Sequence, residues 1–213
     1  MVEADGRGTV IIVDDDAAVR ESLSMLMRAA GHVTFTYSTG EELLEAPPTE
    51  GPACLLLDLE LPGADGIEVQ RRIRDSGWGV PVLFLTGYGD VPAAVSALKA
   101  GAVDFVEKND FDARKLVEQV ADIIEADRRR LARQSKREQL DERINSLSRR
   151  ELEVARLAAE GNTNRVIGLT LGISERTVEV HRGRAMKKLA LRTAAELARL
   201  ELRLTRSNKS RPD

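Results

Sequence analysis

The sequence predicts an α/β domain, a doubly wound (βα)5 parallel sheet, followed by a long helix and an all-α domain of about four helices. Three observations predict this. Five short apolar runs alternate with helical patterns in the first half, which is how a parallel sheet with right-handed crossovers is written in sequence. From Leu147 to Leu204 the spacing is helical throughout. Charge divides at the same place: residues 1–126 hold 10 basic and 23 acidic residues, net −13, and residues 127–213 hold 22 and 12, net +10. An acidic half joined to a basic half implies two domains with different partners, the basic one suited to a polyanion.

The strands are expected at Val10–Val13, Val33–Tyr37, Cys54–Leu57, Val80–Leu85 and Ala102–Val106. They are continuous rather than alternating, as in strands buried on both faces, although the second run is weak. Helices are expected at Ala17–Ala30, Ser38–Glu45, Gly66–Ser76, Val91–Ala100 and from about Asp112. Gly31, Gly77, Gly79 and Gly101 stand where helices should stop. From Leu116 to Leu147 the pattern is helical, but its middle, DRRRLARQSKREQ, is too polar to be buried. It reads as a solvated linker helix or as a short coiled-coil contact between two chains. The last half breaks at Gly161–Asn162 and Gly172–Ser174.

With 42% hydrophobic and 31% charged residues the composition is that of a globular protein. No apolar run reaches the length of a membrane span and no opening segment reads as a signal peptide, so a soluble cytoplasmic protein is expected. Cys54, the only cysteine, lies in an apolar run and reads as a buried structural thiol.

Sites in parallel sheets form beyond the carboxyl ends of the strands. There the sequence places Asp14 and Asp15 after the first strand, Asp58 and Glu60 after the third, Thr86 and Gly87 after the fourth, and Lys108 after the fifth. Carboxylates brought together need a cation, and hard oxygen donors suit Mg²⁺ completed by a phosphate. A carboxylate beside a metal can attack phosphorus, while the lysine and threonine could hold phosphoryl oxygens. The pattern suggests phosphoryl transfer onto an aspartate. Asp16 reads differently, as the N-cap of the helix starting at Ala17.

In the basic half, TNRVIGLTLGI and SERTVEVHRGRAMKKL form a helix-turn-helix pattern with Ser174 as the second N-cap. Val178, His181, Ala185 and Leu189 share one face and should pack inward, His181 as a hydrogen-bonded core histidine. Arg176, Glu179, Val180, Gly183, Arg184 and Lys187 lie toward the other side, a surface suited to the major groove.

The stretches VIIVDDDAAVRESL, LLLDLELPGADGIE, VLFLTGYGDV and ALKAGAVDFVEK resemble the receiver domain of two-component response regulators. The resemblance implies that a sensor histidine kinase phosphorylates Asp58. It implies that Asp14, Asp15, Asp58 and the backbone carbonyl of Glu60 hold Mg²⁺, with Thr86 as switch hydroxyl, Lys108 as site lysine and Phe105 as switch aromatic. LSRRELEV, EGNTNRVIG and LGISERTVEVHRGRAMKKL resemble the LuxR-type DNA-binding domain, in which Thr163, Asn164 and Arg165 would touch phosphates. Together the two halves resemble the FixJ/NarL family of response regulators, on the FixJ side.

That resemblance implies a phosphorylation-activated transcriptional regulator, not an enzyme. Its partners would be a kinase, double-stranded promoter DNA, a second copy of itself when phosphorylated, and RNA polymerase, with no membrane. The dimer surface would include Val95 and Lys99. The expected boundaries are a flexible N-terminus at 1–8, the receiver at 9–126, a helical linker at 127–145, the DNA-binding domain at 146–206 and a disordered tail at 207–213.

Two features keep alternatives open. The family has proline after the lysine, usually in a cis bond, whereas Asn109 follows Lys108 here, and a cis bond before a non-proline residue costs about 2.5–4 kcal/mol. A DNA-binding regulator whose receiver acts without phosphorylation is one alternative. A haloacid-dehalogenase-like phosphatase is another, but it would need a second acid two residues after the nucleophile, as in Asp-x-Asp; Asp58-Leu59-Glu60 resembles that only loosely, and no cap domain is evident in the sequence.

Overall fold

The computed structural model describes residues 8–48, 51–63, 65–87, 102–108, 112–201, 203 and 204. The chain divides into two compact units, residues 1–132 and 133–213. The expected helix at Val91–Ala100, with Val95 and Lys99, lies outside the described residues, as do Gly101 and Asn109.

In the first unit the elements run β1 (Thr9–Val13), α1 (Ala17–Ala29), β2 (Val33–Tyr37), α2 (Gly40–Glu45), β3 (Ala53–Asp58), α3 (Gly66–Asp75), β4 (Val82–Thr86), β5 (Asp104–Glu107) and α4 (Ala113–Asn145). All strand pairs are parallel, in the order β2-β1-β3-β4-β5. β3 and β4 are buried at every residue because helices cover both faces. Ile11, Leu55, Leu57 and Phe84 pack toward Leu43 of α2 and Val69 and Ile73 of α3. Ile12, Cys54, Leu56 and Leu83 pack toward Leu23 and Met27 of α1 and Leu116, Val120 and Ile124 of α4. β2 is an edge strand with Val33 and Phe35 exposed, the physical reason its apolar signal is weak.

Asp16 caps α1 as expected, its Oδ1 accepting from the Ala18 amide at 2.8 Å. Cys54 is fully buried, and burial pushes its thiol pKa far up, with Asp127 adding to the effect. β4 starts at Val82, two residues later than expected, because Pro81 offers no N–H to a ladder; its carbonyl accepts from Leu55 at 2.9 Å.

The expectation that the polar stretch from residue 127 is too polar to bury fails at its first residue. Asp127 is buried, its Oδ2 accepting from the Ala53 amide at 3.0 Å and its Oδ1 from Arg130 Nε at 2.8 Å. The carboxylate satisfies a backbone donor at the start of β3, which an apolar residue could not do. Residues 132–139 of α4 are exposed, as a solvated helix requires.

The second unit contains the end of α4, then α5 (Arg149–Ala159), α6 (Asn164–Leu171), α7 (Glu175–Leu189) and α8 (Ala194–Ala198). Its core gathers Ile144, Leu147, Leu152, Ile167, Val178, Leu189 and Leu197, among others. Ser148 and Glu151 form a capping box at the start of α5. Glu151 is also buried against Lys188 Nζ at 2.6 Å. Burial pushes its pKa up, but the hydrogen bonds from Lys188 and Ser148 outweigh that and leave it lowered.

Between α6 and α7, Gly172 takes φ +68°, a left-handed turn that glycine enters without strain. A Cβ on Gly168 would lie 2.7 Å from the Ile173 carbonyl, so the turn lies against α6 more closely than alanine permits. Ser174 caps α7, its Oγ accepting from the Thr177 amide at 3.1 Å.

Candidate functional site

The strand order reverses between β1 and β3, so the loops leaving their carboxyl ends diverge and open a crevice. Asp14 follows β1 and Asp58 ends β3, and the register pairs Val13 with Leu57, so the parallel ladder sets the two acids side by side. Asp14 has no exposed surface, Asp58 almost none, and Asp15 is exposed. One carboxylate oxygen from each of Asp14, Asp15 and Asp58 lies within 4.8 Å of the others.

Lys108 reaches this group from the end of β5. Its Nζ donates to Asp58 Oδ2 at 2.8 Å and stands 2.7 Å from Asp14 Oδ2, the latter an ion pair without hydrogen-bond alignment. The Lys108 amide donates to the Thr86 carbonyl at 2.9 Å, which ties the loop after β5 to the end of β4. Burial pushes the Asp58 carboxyl pKa up, and the hydrogen bond and charge of Lys108 only partly offset this. Burial lowers the Lys108 pKa, but the Asp14 carboxylate beside it and its hydrogen bond to Asp58 outweigh that and leave it raised.

Three carboxylates against one ammonium leave the cluster short of positive charge. A hard oxygen-donor set of this kind fits Mg²⁺. Glu60 differs from the three aspartates: its side chain is exposed, while its amide donates to Asp58 Oδ1 at 3.2 Å. Gly66 packs directly behind Asp58, where a Cβ would collide with the Asp58 carbonyl and approach Leu59 Cα to 3.0 Å.

Thr86 is buried, its hydroxyl donating to the Gly87 carbonyl at 3.3 Å. Phe105 is half-buried, opposite Phe84 in the β4–β5 register. Strand alternation puts Thr86, Phe84 and Phe105 on the same face of the sheet. The sequence reading missed Arg20, whose Nη1 donates to the Asp14 carbonyl at 2.7 Å. A cation one turn into the helix that follows an acidic loop was the available signal.

In the second unit the six outward residues of α7, namely Arg176, Glu179, Val180, Gly183, Arg184 and Lys187, are all exposed, and Val178, Ala185 and Leu189 are buried. His181 is half-buried as expected, but its buried Nδ1 has no hydrogen-bond partner among the described residues. Its helical face is shared with aliphatic side chains, which offer none. Thr163 and Arg165 are exposed at the start of α6, where Thr163 Oγ1 accepts from the Val166 amide at 3.4 Å. Asn164 is half-buried, and its Oδ1 accepts from Arg182 Nη1 at 2.9 Å.

Comparison with known proteins agrees with both units. Residues 10–121 match the response regulator receiver domain, and residues 145–200 match the luxR family of bacterial regulatory proteins. The C4-dicarboxylate transport transcriptional regulatory protein DctR of Rhodobacter capsulatus is 44% identical over 194 residues, covering 90% of this chain and 98% of the relative. The transcriptional regulatory protein FixJ of Bradyrhizobium diazoefficiens is 36% identical over 197 residues, covering 92% and 96%. The solved structure of the response regulator StyR superposes with a TM-score of 0.85 at 37% identity, over 92% of this chain and 98% of that one. Of these relatives, DctR and FixJ are both transcriptional regulatory proteins rather than enzymes. The chain belongs to the response regulators, as a FixJ-like transcriptional regulator that joins a receiver domain to a luxR-family DNA-binding domain.

Proposed function

We propose that phosphorylation of Asp58 by a sensor histidine kinase activates this regulator. A carboxylate oxygen of Asp58 attacks phosphorus, and the bond from phosphorus to the kinase imidazole nitrogen breaks. Asp14, Asp15 and Asp58 would hold Mg²⁺ through their carboxylates, and Glu60 through its backbone carbonyl. The bound ion supplies positive charge to the carboxylates and the phosphoryl oxygens. Lys108 donates to a phosphoryl oxygen. The Thr86 hydroxyl turns from the Gly87 carbonyl to the phosphoryl group, and Phe105, on the same sheet face, follows it inward. The surface that includes Val95 and Lys99 then dimerises.

Dimerisation pairs two DNA-binding domains, and two half-sites bind together. Thr163, Asn164 and Arg165 contact phosphates. Arg176, Glu179, Val180, Arg184 and Lys187 face base edges and backbone in the major groove, and Gly183 lets the helix sit close. RNA polymerase is the further partner at promoters. The protein acts in the cytoplasm; among the described residues no helix is long and apolar enough to cross a membrane. The receiver spans residues 9–126, and the bond from the Ala53 amide to Asp127 ties the first residue of the linker to its sheet. The helical linker then leads to the DNA-binding domain at about residue 146.

The observation that carries this reading is the meeting of Asp14, Asp15 and Asp58 within 4.8 Å, with Lys108 bridging two of them. Incubation of the full chain with acetyl phosphate and Mg²⁺, read by intact mass, tests it. The wild type gains the mass of one phosphoryl group and Asp58→Asn gains none. Equal uptake by both would place the acceptor elsewhere.

A further inference from the structure

We propose that Arg182 is a positioning residue for DNA-backbone recognition, acting by fixing which end of the Asn164 side chain faces the DNA. The inference rests on the reading of the second unit as a DNA-binding domain. Arg182 lies on the flank of α7 between its buried and exposed faces, is half-buried, and belongs to neither set of residues that the helical pattern marks out. Its Nη1 donates to Asn164 Oδ1 at 2.9 Å, a bond from the middle of α7 to the first residue of α6.

An asparagine amide has an acceptor end and a donor end of nearly the same size, and can present either. A guanidinium only donates, so whatever bonds to it must be the oxygen. Holding Oδ1 inward leaves Nδ2, with its two N–H groups, as the free end; Nδ2 has no protein partner among the described residues. Phosphate oxygens only accept. With the amide locked this way round Asn164 offers them two donors, and in the opposite orientation it would offer them a lone-pair oxygen. The charge on Arg182 makes the locking bond stronger than a neutral one, and the half-buried position keeps it in place.

Arg182 is thus set to act through Asn164 and not on the phosphate itself. Because phosphate contacts are independent of sequence, a mixed-sequence 30-base-pair duplex is a sufficient probe. Binding of the full chain to this duplex is measured over a range of salt concentrations for the wild type, Arg182→Met, Asn164→Ala and the double variant, with melting of each followed in parallel. Arg182→Met weakens binding about fivefold in the wild-type background and by less than twofold in the Asn164→Ala background. It leaves the slope of log K against log salt unchanged, whereas a direct phosphate contact would remove about 0.9 from it. Arg182→Lys, which keeps the stem and a donor, stays within about twofold of the wild type and guards against a folding artefact.

Equal losses in both backgrounds, a slope reduced by about one, or unchanged binding in Arg182→Met would each overturn the inference. A wild type that binds the duplex with no salt dependence would instead overturn the DNA-binding reading on which it rests.

Discussion

Replacing Asp58 by asparagine tests the electrostatics of the acidic crevice without any partner. The carboxylates of Asp14, Asp15 and Asp58 approach within 4.8 Å. At an effective dielectric constant near 20, each pair at that separation repels by about 3.5 kcal/mol. Asp58→Asn removes two of the three pairs and leaves Lys108 against Asp14 at 2.7 Å.

The pH dependence follows from the direction of the Asp58 shift. Burial raises its pKa above the unfolded value, so the folded state holds its proton at pH values where the unfolded state has lost it. Stability therefore falls as pH rises from the ordinary carboxylate range through the folded pKa, and remains lost above it. In EDTA at pH 7, Asp58→Asn is expected to be more stable than the wild type by about 1–2 kcal/mol, with the lost Lys108 hydrogen bond already deducted. The gap closes as pH falls below the usual carboxylate pKa.

Mg²⁺ should reverse the ranking. At a hundredfold excess over its Kd the ion stabilises the wild type by about 2.7 kcal/mol. For a unit of this size that raises Tm by about 10 °C. Thermal unfolding of the full chain, following the receiver transition in EDTA and in Mg²⁺, reads both effects. Equal Mg²⁺ shifts in the two proteins, or an Asp58→Asn variant that melts below the wild type in EDTA at pH 7, would refute the reasoning.

Three further substitutions probe the second unit. Glu151→Gln loses the charged half of the capping box and the Lys188 ion pair, and is expected to cost about 2 kcal/mol at pH 7 by urea unfolding. Because the Glu151 pKa is lowered on folding, its contribution is present above the ordinary carboxylate value and lost as pH falls through the folded one, so the two proteins converge in acid. Gly168→Ala drives a Cβ to 2.7 Å from the Ile173 carbonyl, a backbone atom that cannot step aside, and should cost about 1–3 kcal/mol in the same assay. Gly183→Ala meets nothing within 4 Å and should stabilise α7 by up to about 1 kcal/mol. If that helix sits close to DNA the same variant binds promoter DNA more weakly, which a binding titration separates from the gain in Tm.

What was legible in the sequence follows periodicity and topology. Asp14, Asp58, Thr86 and Lys108 stand at the ends of apolar runs, and a parallel sheet brings such ends together however far apart they lie in sequence. The inward and outward sets on α7 were legible for the same reason, since a 3.6-residue period divides one helix by itself. Contacts set by a neighbouring element were not. Asp127 looked solvated because its partner, the Ala53 amide, is 74 residues away and carries no side-chain signal. Arg182 falls between the two faces of its helix, and only the packing of α6 against α7 supplies Asn164. The His181 expectation failed in one part, since periodicity marks burial but does not supply a hydrogen-bond partner.

The central claim is that charge gained at Asp58 is converted into DNA binding. It is tested most directly by titrating the full chain onto promoter DNA in Mg²⁺, with and without beryllofluoride, while following its mass in solution. The account predicts that beryllofluoride converts monomer to dimer and tightens DNA binding by at least tenfold, and that Asp58→Asn shows neither change. Beryllofluoride bound at Asp58 with no change in oligomeric state or DNA affinity would contradict it.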